Sequence, residues 1–256
     1  VTLRAAMEGG GLCIADIPKL QRDPAQYLGF IEVHIEQGPV LSELDLPLGV
    51  VTSINGGVRY VGEMLGMASH AGTTPMDRRR DAAAGVAELL LYVEQRAAQD
   101  GDSVGTVGVL NVPSGSINVV PGRCQFTLDL RAPNDAQRDA LSQDVLAQLA
   151  AIAARRGLHY RLEESMRAAA APSAIPWQQR WERAVAASGI PVHRMPSGAG
   201  HDAMKLHEVM PQAMLFVRGE NAGISHNPLE STTNDDMELA VHAFSHVLHQ
   251  LAKESA

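Results

Sequence analysis

The chain has 256 residues, 45% of them hydrophobic and 4% aromatic, with a formal charge of −8. That length holds one large domain or two ordinary ones around a sizeable core. The acidic balance, with Arg78 to Arg80 as the one basic run, excludes the clustered positive charge that a nucleic-acid footprint needs, and no apolar stretch reaches bilayer length.

The chain opens on Val1 without an initiator methionine and is expected to be a fragment of a longer protein. Val1 to Gly11 lacks the charged-then-apolar layout of a secretion signal, so the expected location is cytoplasmic. Phe30 to Val33 is a short apolar run that ends on His34, within Val33-His34-Ile35-Glu36-Gln37-Gly38. Val58 to Ala68 is strand-like, and a helix is predicted from about Asp77 to Ala98, with Val86, Leu89, Leu90, Val93 and Ala97 forming one apolar stripe. Two strand runs follow, Val104 to Val112 and Arg123 to Leu130, separated by the Pro- and Gly-rich turn Pro113 to Gly122. A second helix is predicted over Asp135 to Arg156, with Leu141, Val145, Leu149 and Ile152 inward and Gly157 as its stop. Leu158, Tyr160 and Leu162 then alternate with polar residues as in a half-buried strand.

This β-α-β-β-α-β order is that of a ferredoxin-like split βαβ module, four antiparallel strands with two helices on one face. Phe126, Leu128 and Leu130 should face the helices, and Thr127, Asp129 and Arg131 the open side. The Ala-rich stretch Ala168 to Pro176 marks a return to another domain. There Trp177 to Ser188 reads as a helix ended by Gly189, Met214 to Val217 as a buried strand, and Asp235 to Ala252 as a last helix. The last helix carries a stripe of Met237, Ala240, Phe244, Val247 and Leu251. The expected class is α/β: residues 1–55 and 166–256 form an open, doubly wound domain into which residues 56–165 are inserted.

His34 and His226, the latter in Gly223-Ile224-Ser225-His226-Asn227-Pro228-Leu229-Glu230, should both sit beyond strand carboxyl ends, where open α/β sheets build their sites. Neutral imidazole suits a zinc-type ion, but a catalytic metal takes at least three protein ligands, and two unrelated hydrogen-bonded histidines are the plain alternative. His70, in the small-residue loop Ser69 to Met76, is placed to donate to an oxyanion. Asn118 lies in the loop Gly115 to Gly122, where an Asx-turn is the ordinary reading. Arg131 projects from the open face, either as a carboxylate clamp or as a solvated surface residue. Ser197-Gly198-Ala199-Gly200-His201-Asp202 has the look of a backbone cradle before a short helix. His242, His246 and His249 fall off the apolar stripe and read as the wet side of the last helix. Cys13 and Cys124, far apart and outside any CxxC spacing, read as small buried side chains.

Taken in order, HIEQGP, SHAGTTPM, the INVVPG turn, DLRAP, SGAGHDAM and GISHNPLE resemble the carbamoylase and allantoate amidohydrolase branch of the M20 metallopeptidase-like superfamily. The resemblance implies a hydrolase of linear C–N bonds in carbamoyl or ureido groups, with two divalent ions, Zn or Mn, as cofactor. It implies that His34 and His226 each give a ligand to one ion, that Gln37 and His201 contact substrate, and that Asn118 and Arg131 grip its carboxylate. It makes residues 56–165 a lid and dimerisation domain, residues 1–55 with 166–256 a partial catalytic domain, and His70 a catalytic group that crosses the interface of a homodimer. The implied ligand is a small carbamoyl or ureido compound. Members of that branch also carry an H-x-D motif and a Glu-Glu pair upstream, and neither occurs before Phe30. The chain alone is therefore expected to be inactive and depleted of metal. The alternatives are an aminoacylase or dipeptidase of the same superfamily, or a non-catalytic dimerisation module.

Overall fold

A computed structural model describes residues 2–254. After α1 (Leu3–Gly9), which buries no residue, come β1 (Phe30–Ile35), α2 (Val40–Glu43) and β2 (Leu48–Ile54). The middle of the chain forms β3 (Gly56–Leu65), β4 (Ser69–His70), α3 (Ala82–Gln99), β5 (Val104–Thr106) and β6 (Leu110–Asn111). It continues through β7 (Val119–Val120), β8 (Arg123–Ala132), α4 (Asp135–Arg156) and β9 (His159–Ala168). The remainder is β10 (Ala171–Pro172), α5 (Ile175–Ala187), β11 (Arg194–Ser197), α6 (Asp202–Leu206), β12 (Gln212–Val217) and α7 (Asn234–Glu254). Among the described residues no helix is long and apolar enough to cross a membrane.

The two ends of the chain share one sheet in the order β1-β12-β2-β10, with β11 also on β2. β1 is parallel to β12 and β11 to β2, but β12 and β2 are antiparallel. The sheet is thus mixed, which corrects the parallel strand course of the expected doubly wound pattern, although helices cover both of its faces. Between β1 and β2 the chain forms only the single helical turn of α2, too little to cover a face and carry β2 back into a parallel position. β12 is buried throughout, and its alternation feeds two cores. Ala213, Leu215 and Val217 pack with Trp181 and Val185 of α5 and Ala240, Ala243 and Val247 of α7. Met214 and Phe216 pack with Leu41 of α2 and Ala203 of α6 on the other face. Met237, expected in the stripe of α7, is instead 44% exposed, and Ala243 takes a core position.

The second sheet has the order β5-β8-β3-β9, all antiparallel, with β6 on β8, which is the split βαβ topology. Phe126, Leu128 and Leu130 meet Val86 and Leu89 of α3 and Leu141 and Val145 of α4 in its core. α3 starts at Ala82 rather than near Asp77, because Asp81 Oδ1 accepts from the Ala84 N–H at 3.0 Å and so caps the helix. Met76–Arg78 forms a separate single turn. α4 runs as read from sequence, between the Asn134 cap and Gly157 in the left-handed region at φ 64°. The expected strand Val104 to Val112 is broken. Three residues lie between Thr106 and Leu110, opposite two between Asp129 and Phe126, and this extra residue bulges the edge.

Candidate active site

Because β1 and β12 are adjacent and parallel, with His34 opposite Phe216, the loops that leave their carboxyl ends emerge together. In the first loop Glu36 is buried and caps α2, its two oxygens accepting from the Val40 and Leu41 N–H groups at 2.8 Å. Burial pushes its carboxyl above the usual range. Gln37, at φ 60°, reaches across to donate from Nε2 to Ser225 Oγ of the second loop at 2.8 Å. Gly223, at φ 70°, lies so close that a Cβ there would stand 1.7 Å from the Gly38 carbonyl oxygen. His226 follows at φ 56°, its N–H donating to Glu230 Oε2 at 2.9 Å. The Ser225 hydroxyl, then the His226 backbone and the charges of His226 and His34, hold the Glu230 carboxyl below its ordinary range.

His34 Nδ1 lies 2.8 Å from the Ile35 carbonyl, which can only accept, so the proton is on Nδ1 and the Nε2 lone pair is left for a ligand. Its ring meets His201 edge-on at 4.6 Å. The His201 side chain is 1% exposed, with Nε2 2.8 Å from Ser197 Oγ and Nδ1 3.8 Å from Glu32 Oε1. Burial, and then the neighbouring His34, push its pKa down to about 4, so the ring is neutral near pH 7. Glu32 Oε2 accepts from the Ala203 N–H at 2.9 Å and so ties α6 to β1. On its other side His34 borders an apolar hollow of about 530 Å³ between β1 and α7, lined by Val33, Val217, Met237, Val241 and Phe244.

The structure thus brings His34, Gln37, His201 and the His226 loop together. His34 and His226 are suitable metal donors, but among the described residues no three His, Cys, Asp or Glu side chains converge as a cage. A catalytic divalent ion needs at least three. The residues of this chain by themselves do not fit a complete metal centre.

Arg131 stands on the open face of the second sheet. Its Nε and Nη2 donate to Asp129 at 2.8 and 2.7 Å, and its Nη1 donates to the Gly198 carbonyl at 2.7 Å. It is therefore an organised group and not a freely solvated one. His70 and Asn118 are placed elsewhere, on the small β4-β7 pair, where His70 lies opposite Val119 and the Ala71 N–H donates to the Asn118 carbonyl at 2.8 Å. Asn118 Oδ1 accepts from Ser116 at 2.9 Å. Nδ1 of His70 accepts from the Gly72 and Thr73 N–H groups at 3.0 and 3.2 Å, which puts the proton of the neutral ring on Nε2, facing outward as a donor. Neither His70 nor Asn118 hydrogen-bonds to the His34 cluster. His242, His246 and His249 are exposed along α7.

Sequence reading did not single out Glu32, Ser197, Ser225 or Glu230. Glu32 had one signal, the two-residue spacing that puts it on the same strand face as His34. Ser197 becomes visible only through its contact with His201.

The family model for peptidase family M20/M25/M40 matches residues 6–250, and the chain belongs to that family. It is 37% identical over 253 residues to an N-carbamoyl-L-amino acid amidohydrolase of Geobacillus stearothermophilus, covering 99% of this chain and 62% of that protein. It is 33% identical to an allantoate deiminase of Arabidopsis thaliana, covering 94% of this chain and 51% of that one. Among solved structures, a hydantoinase/carbamoylase family amidase from Burkholderia multivorans superposes with a TM-score of 0.82 at 36% identity, over 85% of this chain and 53% of that one. The chain thus spans between 51% and 62% of the length of these curated relatives.

Proposed function

We propose that this chain is the C-terminal part of a metal-dependent hydrolase of linear C–N bonds, acting on the carbamoyl or ureido group of an N-carbamoyl amino acid or of allantoate. The observation that carries the reading is the meeting of the His34 and His226 loops, in a chain whose relatives are named for that chemistry. In this reading residues 1–55 and 166–256 are part of the catalytic domain and residues 56–165 are the lid and dimerisation domain. Two divalent ions, Zn or Mn, are the cofactor, His34 and His226 giving one ligand to each. The remaining ligands fall to the part of the relatives' length that this chain does not span. β1, whose one strand partner among the described residues is β12, and the apolar wall beside it leave room for further strands there.

The chain's own residues have distinct tasks. Arg131 orients the substrate carboxylate, which is positioning rather than reactivity. Gln37 and His201 border the ureido end, and His201, neutral near pH 7, acts there as a hydrogen-bonding group and not as an acid. His70 offers its Nε2–H to the oxygen on which charge develops. Its separation from the His34 cluster, together with Asn118, fits delivery into the site of a second subunit.

The test is expression with the upstream segment and assay with added metal. The longer protein should release ammonia from N-carbamoyl amino acids or allantoate and lose that activity on chelation. Amino acid released from an N-acyl amino acid or dipeptide, without ammonia, would move the protein to the aminoacylases or dipeptidases. An inactive longer protein would favour the non-catalytic module, the reading that the lack of a third ligand among the described residues supports. The present chain alone should turn over none of these substrates, and elemental analysis finding about two ions per chain would refute that.

A further inference from the structure

On the open face of the second sheet, Thr127, Asp129 and Arg131 follow at two-residue spacing, and the register sets Asp129 opposite Arg59 of β3 and Thr106 of β5. Arg131 lies between Gly57 and Val104. Arg59 Nε donates to Asp129 Oδ2 at 2.9 Å, which fixes the carboxylate that in turn grips Arg131. Burial works against the charge on Asp129, yet Arg131 and then Arg59 hold its carboxyl below the usual range.

A guanidinium has five N–H groups in one plane. Asp129 takes two of them along the Nε–Nη2 edge, and the Gly198 carbonyl takes a third from Nη1. The other two belong to Nη1 and Nη2, so a carboxylate that bridges these two nitrogens must share Nη1 with the Gly198 carbonyl. Arg131 lines a hollow of about 590 Å³ together with Val61, Val104, Val109, Ser165 and Gly198. Among the residues that line this hollow, Arg59 and Arg131 against Asp129 leave one positive charge, the complement of a monocarboxylate.

We propose that Asp129, itself anchored by Arg59, is the positioning residue that turns the tip of Arg131 toward the substrate carboxylate, and that the Gly198 carbonyl is the group this carboxylate displaces. The inference rests on the reading of Arg131 as the carboxylate clamp. It separates cleanly from a purely coulombic role. If Asp129 merely trimmed the local charge, its removal would tighten the binding of any anion. If it positions Arg131, its removal weakens carboxylate binding in spite of the added positive charge.

The experiment is calorimetric titration of the full chain with N-carbamoylglycine, comparing wild type with Asp129→Asn, Arg131→Lys and the double variant, each checked by thermal melting. Arg131→Lys should weaken binding. Asp129→Asn should weaken it about tenfold in the wild-type background and not at all when combined with Arg131→Lys, since an ammonium group has no fork to orient.

The result that overturns the proposal is unchanged or tighter binding by Asp129→Asn, or an equal loss in both backgrounds, which marks a fold-wide effect. Should Asp129→Asn fail to fold, Arg59→Ala carries the test, because it frees the outer side of the same carboxylate; it should weaken binding about threefold, and wild-type affinity would overturn the anchoring role. Wild-type affinity in Arg131→Lys, or no binding by the unaltered chain, defeats the clamp reading itself and the inference with it.

Discussion

Gly223→Ala puts the closeness of the two site loops to a quantitative test. The substitution has two separable costs. At φ +70° an alanine is in the left-handed region, which costs about 1–2 kcal/mol for a residue with a Cβ. The new Cβ would also stand 1.7 Å from Gly38 O, 2.1 Å from Gly38 C and 2.9 Å from Gly38 Cα. All three are backbone atoms, so no side chain can rotate away, and the loops must part by more than an ångström. Overpacking of that kind costs about 1–3 kcal/mol, and parting the loops also strains the Gln37–Ser225 hydrogen bond. Gly189→Ala supplies the control, because Gly189 has φ +72° and no neighbour within 4 Å of a built Cβ. Urea denaturation of both variants at pH 7 should show Gly189→Ala losing the backbone term alone, and Gly223→Ala losing roughly twice as much or more. Equal losses would mean that the His34 and His226 loops do not press on each other, and the shared site would lose its structural basis.

Other outcomes follow from the same geometry. His201 has a folded pKa of about 4 against an ordinary 6.5, so its neutral form is favoured by folding; the stability this contributes is full above pH 6.5 and is lost as the pH falls toward 4. The loss is on the order of 3 kcal/mol, and denaturant melts of His201→Gln should lack that part of the acid decline. Asp236 is buried and takes two hydrogen bonds from Arg218, at 2.9 and 3.0 Å, at the base of the second loop. Asp236→Ala should cost about 3 kcal/mol, whereas Asp45→Ala, which removes the exposed partner of the same arginine, should cost less than about 1 kcal/mol by the same melts. For His70, imidazole ¹⁵N shifts should report the Nε2-protonated tautomer, and an Nδ1-protonated ring would remove it as the outward donor.

The features legible in the sequence were those with local causes. α4 could be read to its ends because Asn134 and Gly157 are capping signals within a turn of the helix they bound. α3 starts five residues after the expected Asp77, because its first turn is set by the contact of Asp81 Oδ1 with the Ala84 N–H. His34 falls near the end of β1, as expected from Phe30, Ile31 and Val33 before it. The antiparallel course of β2 and the bulge between β5 and β6 depend on partners far along the chain, to which local patterning is blind. The same holds for Asp129. The period of two placed it on the open face, but its grip on Arg131 and its pairing with Arg59 required the register of β3 against β8.

The loop Ser197 to Asp202 joins the two halves of the candidate site in a way that neither sheet does alone. Gly198 bonds Arg131 on the open face of one sheet, and His201 packs against His34 on the other. Two residues, Ala199 and Gly200, separate them, and three Cα steps of at most about 3.6 Å put the two positions no more than about 11 Å apart. The glycines at 198 and 200 have no neighbour within 4 Å of a built Cβ, so the loop is not wedged in place from that side. Displacement of the Gly198 carbonyl by a carboxylate would therefore release one end of a short segment whose other end holds His201 beside His34. On the proposed reading of Arg131 and His201, one loop would then link the group that meets the carboxylate to the imidazole beside His34, which gives a physical reason for one motif to carry both residues.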